Sequence, residues 1–156
     1  MKKVSGMPIG RVRALERRAD CAAKEGRYFE AAMLTHAVVE YWLRIYLGYD
    51  KKLPAKFWDN GNLKFSSIID YCELMGLNPK AITQLREFND ARNNLIHDII
   101  HFEDFKPGPV FGPLVLPDIT KPIVDDTVDQ VAKKSFEIGQ NFMKYFMEPD
   151  DETVLN

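Results

Sequence analysis

The sequence predicts an all-α protein, a bundle of four to five helices in antiparallel up-and-down arrangement. Three observations carry this. Apolar residues recur at three- and four-residue steps in several long stretches. Glycines and prolines fall between those stretches rather than inside them. The prolines and glycines of the second half gather in one segment before the last periodic stretch, a loop insertion of about residues 102–123.

The chain has 156 residues, of which 46% are hydrophobic and 28% charged, so it suits one soluble domain with a single core. A net charge of −2 carries no global nucleic-acid signature, and such binding would need a local patch. Cys21 and Cys72 have no metal-ligand spacing and read as buried thiols of a reducing compartment. No apolar run reaches the ~20 residues that span a bilayer. The N-terminus M-K-K-V-S-G-M-P has charges without a following apolar region, so no signal peptide is read and a cytoplasmic location is expected.

The first helix opens near Pro8, where a missing N–H is harmless. Val12, Leu15, Ala19, Ala22 and Ala23 form its apolar stripe, and Arg11, Arg13, Arg17, Arg18 and Lys24 its basic face. That face is first of all a solvated surface, but flanking a polyanion site it would serve as an RNA track. Gly26 ends this helix. The second, about Tyr28 to Leu47, is apolar around most of its circumference and so central. Its His36 and Glu40, four residues apart, are expected to touch as a satisfied pair at the core boundary. The sharper alternative has Glu40 orient a cation from another helix.

Gly48 to Leu63 reads as loop, in which Phe57 and Trp58 either pack beneath the chain or stack bases; packing is the commoner fate. Ser66 or Ser67 is expected to cap a short third helix, Ile68 to Met75, which stops at Gly76. The fourth helix runs from about Pro79 to His101, with Ile82, Leu85, Phe88, Leu95, Ile96, Ile99 and Ile100 on one broad face. Four prolines and two glycines between Pro107 and Pro117 exclude a helix there. Asp125 or Asp126 caps the last helix, whose stripe is Val128, Val131, Ala132, Ile138, Phe142, Tyr145 and Phe146. A frayed acidic tail, about 148–156, is expected to follow.

The stretch A-R-N-N-L-I-H, Ala91 to His97, carries the chemistry. On the helical wheel Arg92 falls within the apolar face, with Asn93 and His97 together on its flank. A buried guanidinium demands a carboxylate, a polar cleft or a partner surface. His97 and His101 form H-x-x-x-H, which lacks the intervening glutamate and a third ligand of a zinc site, so no metal and no cofactor is expected.

R-N-N-L-I-H near the end of a long bundle helix resembles the R-X4–6-H motif of the HEPN superfamily, the higher eukaryote and prokaryote nucleotide-binding domains. The hairpin with A-V-V-E-Y-W-L-R-I-Y-L and the short helix L-K-F-S-S-I-I-D-Y-C-E-L-M-G-L resemble that family's earlier helices. The likeness covers about Ile9 to Met147, the insert excepted. It implies metal-independent RNA cleavage at a homodimer interface, in a toxin, phage-defence or RNA-processing protein restrained by an antitoxin or other partner. Arg92, Asn93 and His97 match the motif. An imidazole can move the 2′-OH or 5′-oxygen proton, and a guanidinium can hold the scissile phosphate. His101, Glu40 and His36 are supporting candidates. HEPN toxins paired with nucleotidyltransferase-like antitoxins usually carry tyrosine two residues after the histidine; Ile99 stands there, so that subgroup is not assigned. The alternative is a noncatalytic helical dimerisation or nucleotide-binding module of the same fold, in which Arg92 only pairs with Glu40 or another carboxylate.

Overall fold

The computed structural model describes residues 9–100 and 126–147. They form five α-helices: α1 (Ile9–Lys24), α2 (Tyr28–Ile45), α3 (Phe65–Leu74), α4 (Pro79–Ile100) and α5 (Asp126–Met147). No strand occurs among the described residues, so the all-α expectation holds. Pro8, Asp125, the 102–123 insert and the tail lie outside the described residues.

The helix ends follow local chemistry. Gly26 and Gly76 adopt φ of +75° and +85°, a left-handed conformation that favours glycine. At each, the next residue's N–H reaches back five positions: Arg27 N to Ala22 O at 2.8 Å and Leu77 N to Cys72 O at 2.9 Å. Each glycine also donates three residues back, to Ala23 O and Glu73 O. Both helices thus end in a Schellman motif. The start of α4 is set by Asn78, whose Oδ1 accepts from Lys80 N at 2.8 Å while Pro79 takes the first helical position. The start of α3 differs from expectation. Lys64 is its N-cap, no side chain caps it, and Ser66 and Ser67 lie inside the first turn. Phe65 is buried and pulls the boundary three residues earlier than the serine signal placed it.

Helix α2 does not simply stop. Tyr46–Asp50 continues as a π-turn, with Lys51 N bonded to Tyr46 O at 3.0 Å. A short 3-10 turn follows at Ala55–Phe57. Trp58 folds back so closely on Gly48 that a Cβ there would lie 2.6 Å from the indole. Arg44 fixes this connection by donating to the carbonyls of Trp58 and Asn60. Phe57 stands edge-on to Tyr71 at 5.4 Å, so both loop aromatics pack, as the commoner reading had it.

The main core joins α2, α3, α4 and α5 through Leu43, Leu47, Ile68, Ile69, Leu85, Phe88 and Phe142. Helix α1 lies outside this ring, packed chiefly on α2, while α4 packs chiefly on α5 and α3. Helices α2 and α3 run in the same direction. His36, in mid-α2, meets Phe65 at the start of α3, and Tyr46, beyond its end, reaches the Met75 carbonyl at 3.4 Å. The 46–64 connection therefore returns along the bundle, the one break in strict alternation. A second cluster, Ala32, Leu95, Val128 and Ala132, belongs to α2, α4 and α5 alone, because α3 is too short to reach it. Gly139 lets the helices close here, for a Cβ would lie 2.6 Å from Thr35 Cγ2 and 2.8 Å from Phe88.

Cys72 is buried as expected, with its thiol pushed up to about 12 by desolvation. Cys21 is exposed, contrary to expectation, on the outer face of α1. No described helix is long and apolar enough to cross a membrane.

Candidate functional site

Helix α4 positions the Arg-Asn-His stretch. Phe88 and Leu95 are fully buried and anchor it against α2 and α5. Between them Arg92 is half-buried, whereas Asn93 and His97 are exposed. This matches the wheel reading. At about 100° per residue, His97 points about 140° away from Arg92. Arg92 Nη1 donates to Asn93 Oδ1 at 3.3 Å, so the motif's first two members touch. Arg92 Nε is buried without a hydrogen-bond partner. The ion pairs among the described residues do not include Arg92.

Two expectations about the supporting residues fail here. Glu40 does not pair with His36, nor with Arg92. It accepts from Arg44, one turn on along α2, at 2.6 Å and 3.0 Å. A guanidinium of the same helix outcompetes an imidazole because it is always charged and offers two parallel donors. His36, 8% exposed, turns instead into the aromatic core. Its ring lies 4.4 Å from Phe65 and 5.7 Å from Phe88, and its Nε2 has no partner. Its pKa falls to about 4, chiefly through burial, with Arg92 adding to the fall and Glu40 opposing it. His36 is thus neutral at pH 7.

On the other flank of α4, toward α5, Glu87, Asp90, Ala91 and Asn94 line a surface groove of about 610 Å³ together with Val131, Lys134 and Ile138 of α5. Asn94, next to the motif asparagine, belongs to this groove rather than to the Arg92 side. In the sequence only their wheel angle separates the two asparagines.

The basic face of α1 is exposed at Arg11, Arg13, Arg17 and Arg18. It is less uniformly basic than its arginine count suggests. Arg18 Nε bonds Glu30 at 2.9 Å, and Glu16 accepts from Trp42 Nε1 at 3.2 Å. Since α1 packs chiefly on α2, the structure does not bring this face onto the helix that carries Arg92. His101 lies outside the described residues. Among those described, no cluster of three or more His, Cys, Asp or Glu suits a metal ion.

Comparison with known proteins brought no match: no family model, no curated protein and no solved structure matches this chain.

Proposed function

We propose that the chain is a metal-independent endoribonuclease of HEPN type, acting as a cytoplasmic homodimer in a toxin or defence role under the control of a partner protein. The observation that supports this reading best is Arg92. It is a half-buried guanidinium bonded to Asn93 and supplied with no carboxylate among the described ion pairs. Such a cation suits a phosphodiester. RNA brings its own nucleophile, the 2′-OH, so the protein must supply only proton transfer and charge stabilisation. Exposed His97 is the group for proton transfer, since an imidazole serves as acid or base near neutrality. Arg92 and His97 diverge on one helix, so a two-fold pairing would set the arginine of one copy against the histidine of the other. The arginines of α1 then serve at most as a remote electrostatic track.

The test incubates purified protein with structured and single-stranded RNA in EDTA, beside His97→Ala. Cleavage by the wild type alone is the expected result. Equal cleavage by both proteins, or by neither, removes His97 from any mechanism.

The second reading is a noncatalytic helical interaction module. It draws on Phe29 of α2, which leaves 41% of its surface exposed, and on the ion pairing that dilutes the α1 basic face. A dimer that binds no RNA and cleaves none would favour it.

A further inference from the structure

The outer face of α1 carries cations without counter-charges. Arg11, Arg13 and Arg17 are exposed, and none belongs to an ion pair among the described residues. The first turn of α1 holds no acidic residue, although the positive end of a helix dipole favours one there.

The end of α5 lies beside this turn. Helix α1 runs antiparallel to α2, since Glu16 meets Trp42 and Arg18 meets Glu30. Helix α5 runs parallel to α2: Val128 and Ala132 cluster with Ala32, and Phe146 stands 6.2 Å from Tyr46. The start of α1 and the end of α5 therefore share one end of the bundle. A pocket of about 160 Å³ sets their register, for Glu16 and Asp20 of α1 line it together with Gln140 and Met143 of α5. One further turn, about 6 Å of helix, carries α5 to its last residue, Met147, level with the first turns of α1. The helical wheel divides the arginines. At about 100° per residue, Arg13 and Arg17 lie about 40° and 80° beyond the Glu16–Asp20 edge that meets α5, while Arg11 and Arg18 fall on the far flank. Arg18 is already bonded to Glu30.

The sequence after Met147 is E-P-D-D-E, residues 148–152, with four carboxylates. The negative end of α5 disfavours them, and the positive end of α1 beside it favours them. We propose that the acidic segment 148–152 folds back on α1 and pairs with Arg13 and Arg17, so that the chain carries its own competitor for any polyanion that α1 meets. Exposed ion pairs are individually weak. Tethering supplies what they lack: a segment joined directly to Met147 acts at an effective concentration of roughly millimolar. A long polyanion, which gains more from counterion release, can still displace it. The contact does not depend on RNA cleavage.

Cys21 supplies the probe. It is exposed on the same face, one turn beyond Arg17, while Cys72 is buried, so a nitroxide attaches at Cys21 of the full chain. The experiment follows the amide signals of Asp150, Asp151 and Glu152 by NMR. Strong broadening is expected in low salt, and its loss in about 1 M salt, where charges are screened beyond about 3 Å. Arg13→Glu combined with Arg17→Glu should abolish it, whereas Arg11→Glu should leave it. No broadening in the wild type overturns the contact, as does broadening that persists in the double variant or an equal loss in Arg11→Glu. A second measurement reads the competition. Neutralising the segment in place, by Glu148→Gln, Asp150→Asn, Asp151→Asn and Glu152→Gln, should tighten polyuridylate binding by about threefold or more. The gain should vanish when Arg13 and Arg17 are reversed. Equal binding by the wild type and the neutralised chain, or binding by neither, overturns the competition. His97→Ala should behave as the wild type in both measurements, so a failed cleavage assay sinks the nuclease alone.

Discussion

His36 makes a single side chain visible in the stability of the whole protein. Its folded pKa, about 4, lies below the ordinary 6.5. Below pH 6.5 the unfolded chain takes up a proton that the folded chain refuses, so stability falls as pH drops from 6.5 toward 4. The expected loss between pH 7 and pH 5 is on the order of 2 kcal/mol. Chemical denaturation at the two pH values checks it, and His36→Phe should flatten most of the difference. A wild type and variant with the same slope would show that burial is not the cause. His97 is exposed, so His97→Ala should change stability by less than about 0.5 kcal/mol. The wheel separated Arg92 from Asn93 and His97 because helix periodicity is a local property. It gave His36 the wrong partner because the choice between Glu40 and an aromatic pocket depends on Phe65 and Phe88, which approach from other helices.

At the level of the helices, two contacts set how α2 meets its neighbours. Gly139 of α5 is in van der Waals reach of Thr35 and Phe88 with no space for a methyl group. Gly139→Ala should therefore destabilise by about 1–3 kcal/mol, although alanine is the better helix former. A melting temperature equal to or above that of the wild type would mean that the three helices can part without penalty. Arg44 ties α2 to the connection that follows it, through Glu40 and the Trp58 and Asn60 carbonyls. Arg44→Ala should cost about 1–2 kcal/mol, and limited proteolysis should then cut within residues 51–62 faster than in the wild type. The helices themselves were legible because stripes, glycine stops and the Asn78-Pro79 start are written in neighbouring residues. The π-turn at Tyr46–Asp50 was not. It arises where Trp58, returning from ten residues later, presses on Gly48, and no local pattern announces that contact.

For the whole molecule, the proposed two-fold pairing makes a demand on assembly. If Arg92 of one copy works with His97 of the other, Arg92→Ala and His97→Ala chains, each inactive alone, should recover part of the RNA cleavage when mixed and allowed to exchange. No recovery from chains shown to exchange would place both groups in one chain's site or dismiss the pairing. The bundle class was readable from composition and periodicity; the order of packing was not. Nothing local states that α1 sits outside the ring or that α2 and α3 run the same way, since both follow from which stripes find each other across the chain.

The parallel course of α2 and α3 has a kinetic side. The α1–α2 and α3–α4 hairpins bring together residues close in sequence, and such contacts form early and fast. The surface that unites them does not. Thr35 and Phe88 meet across Gly139, and Gln140 donates to Thr35 from 105 residues away. Loop closure on that scale must precede any gain from the contact. On a ribosome, the two hairpins would wait, with Phe88 and Leu43 unburied, until α5 emerged to join them. The seam that holds His36 and Arg92 would thus be among the last parts of the molecule to take shape.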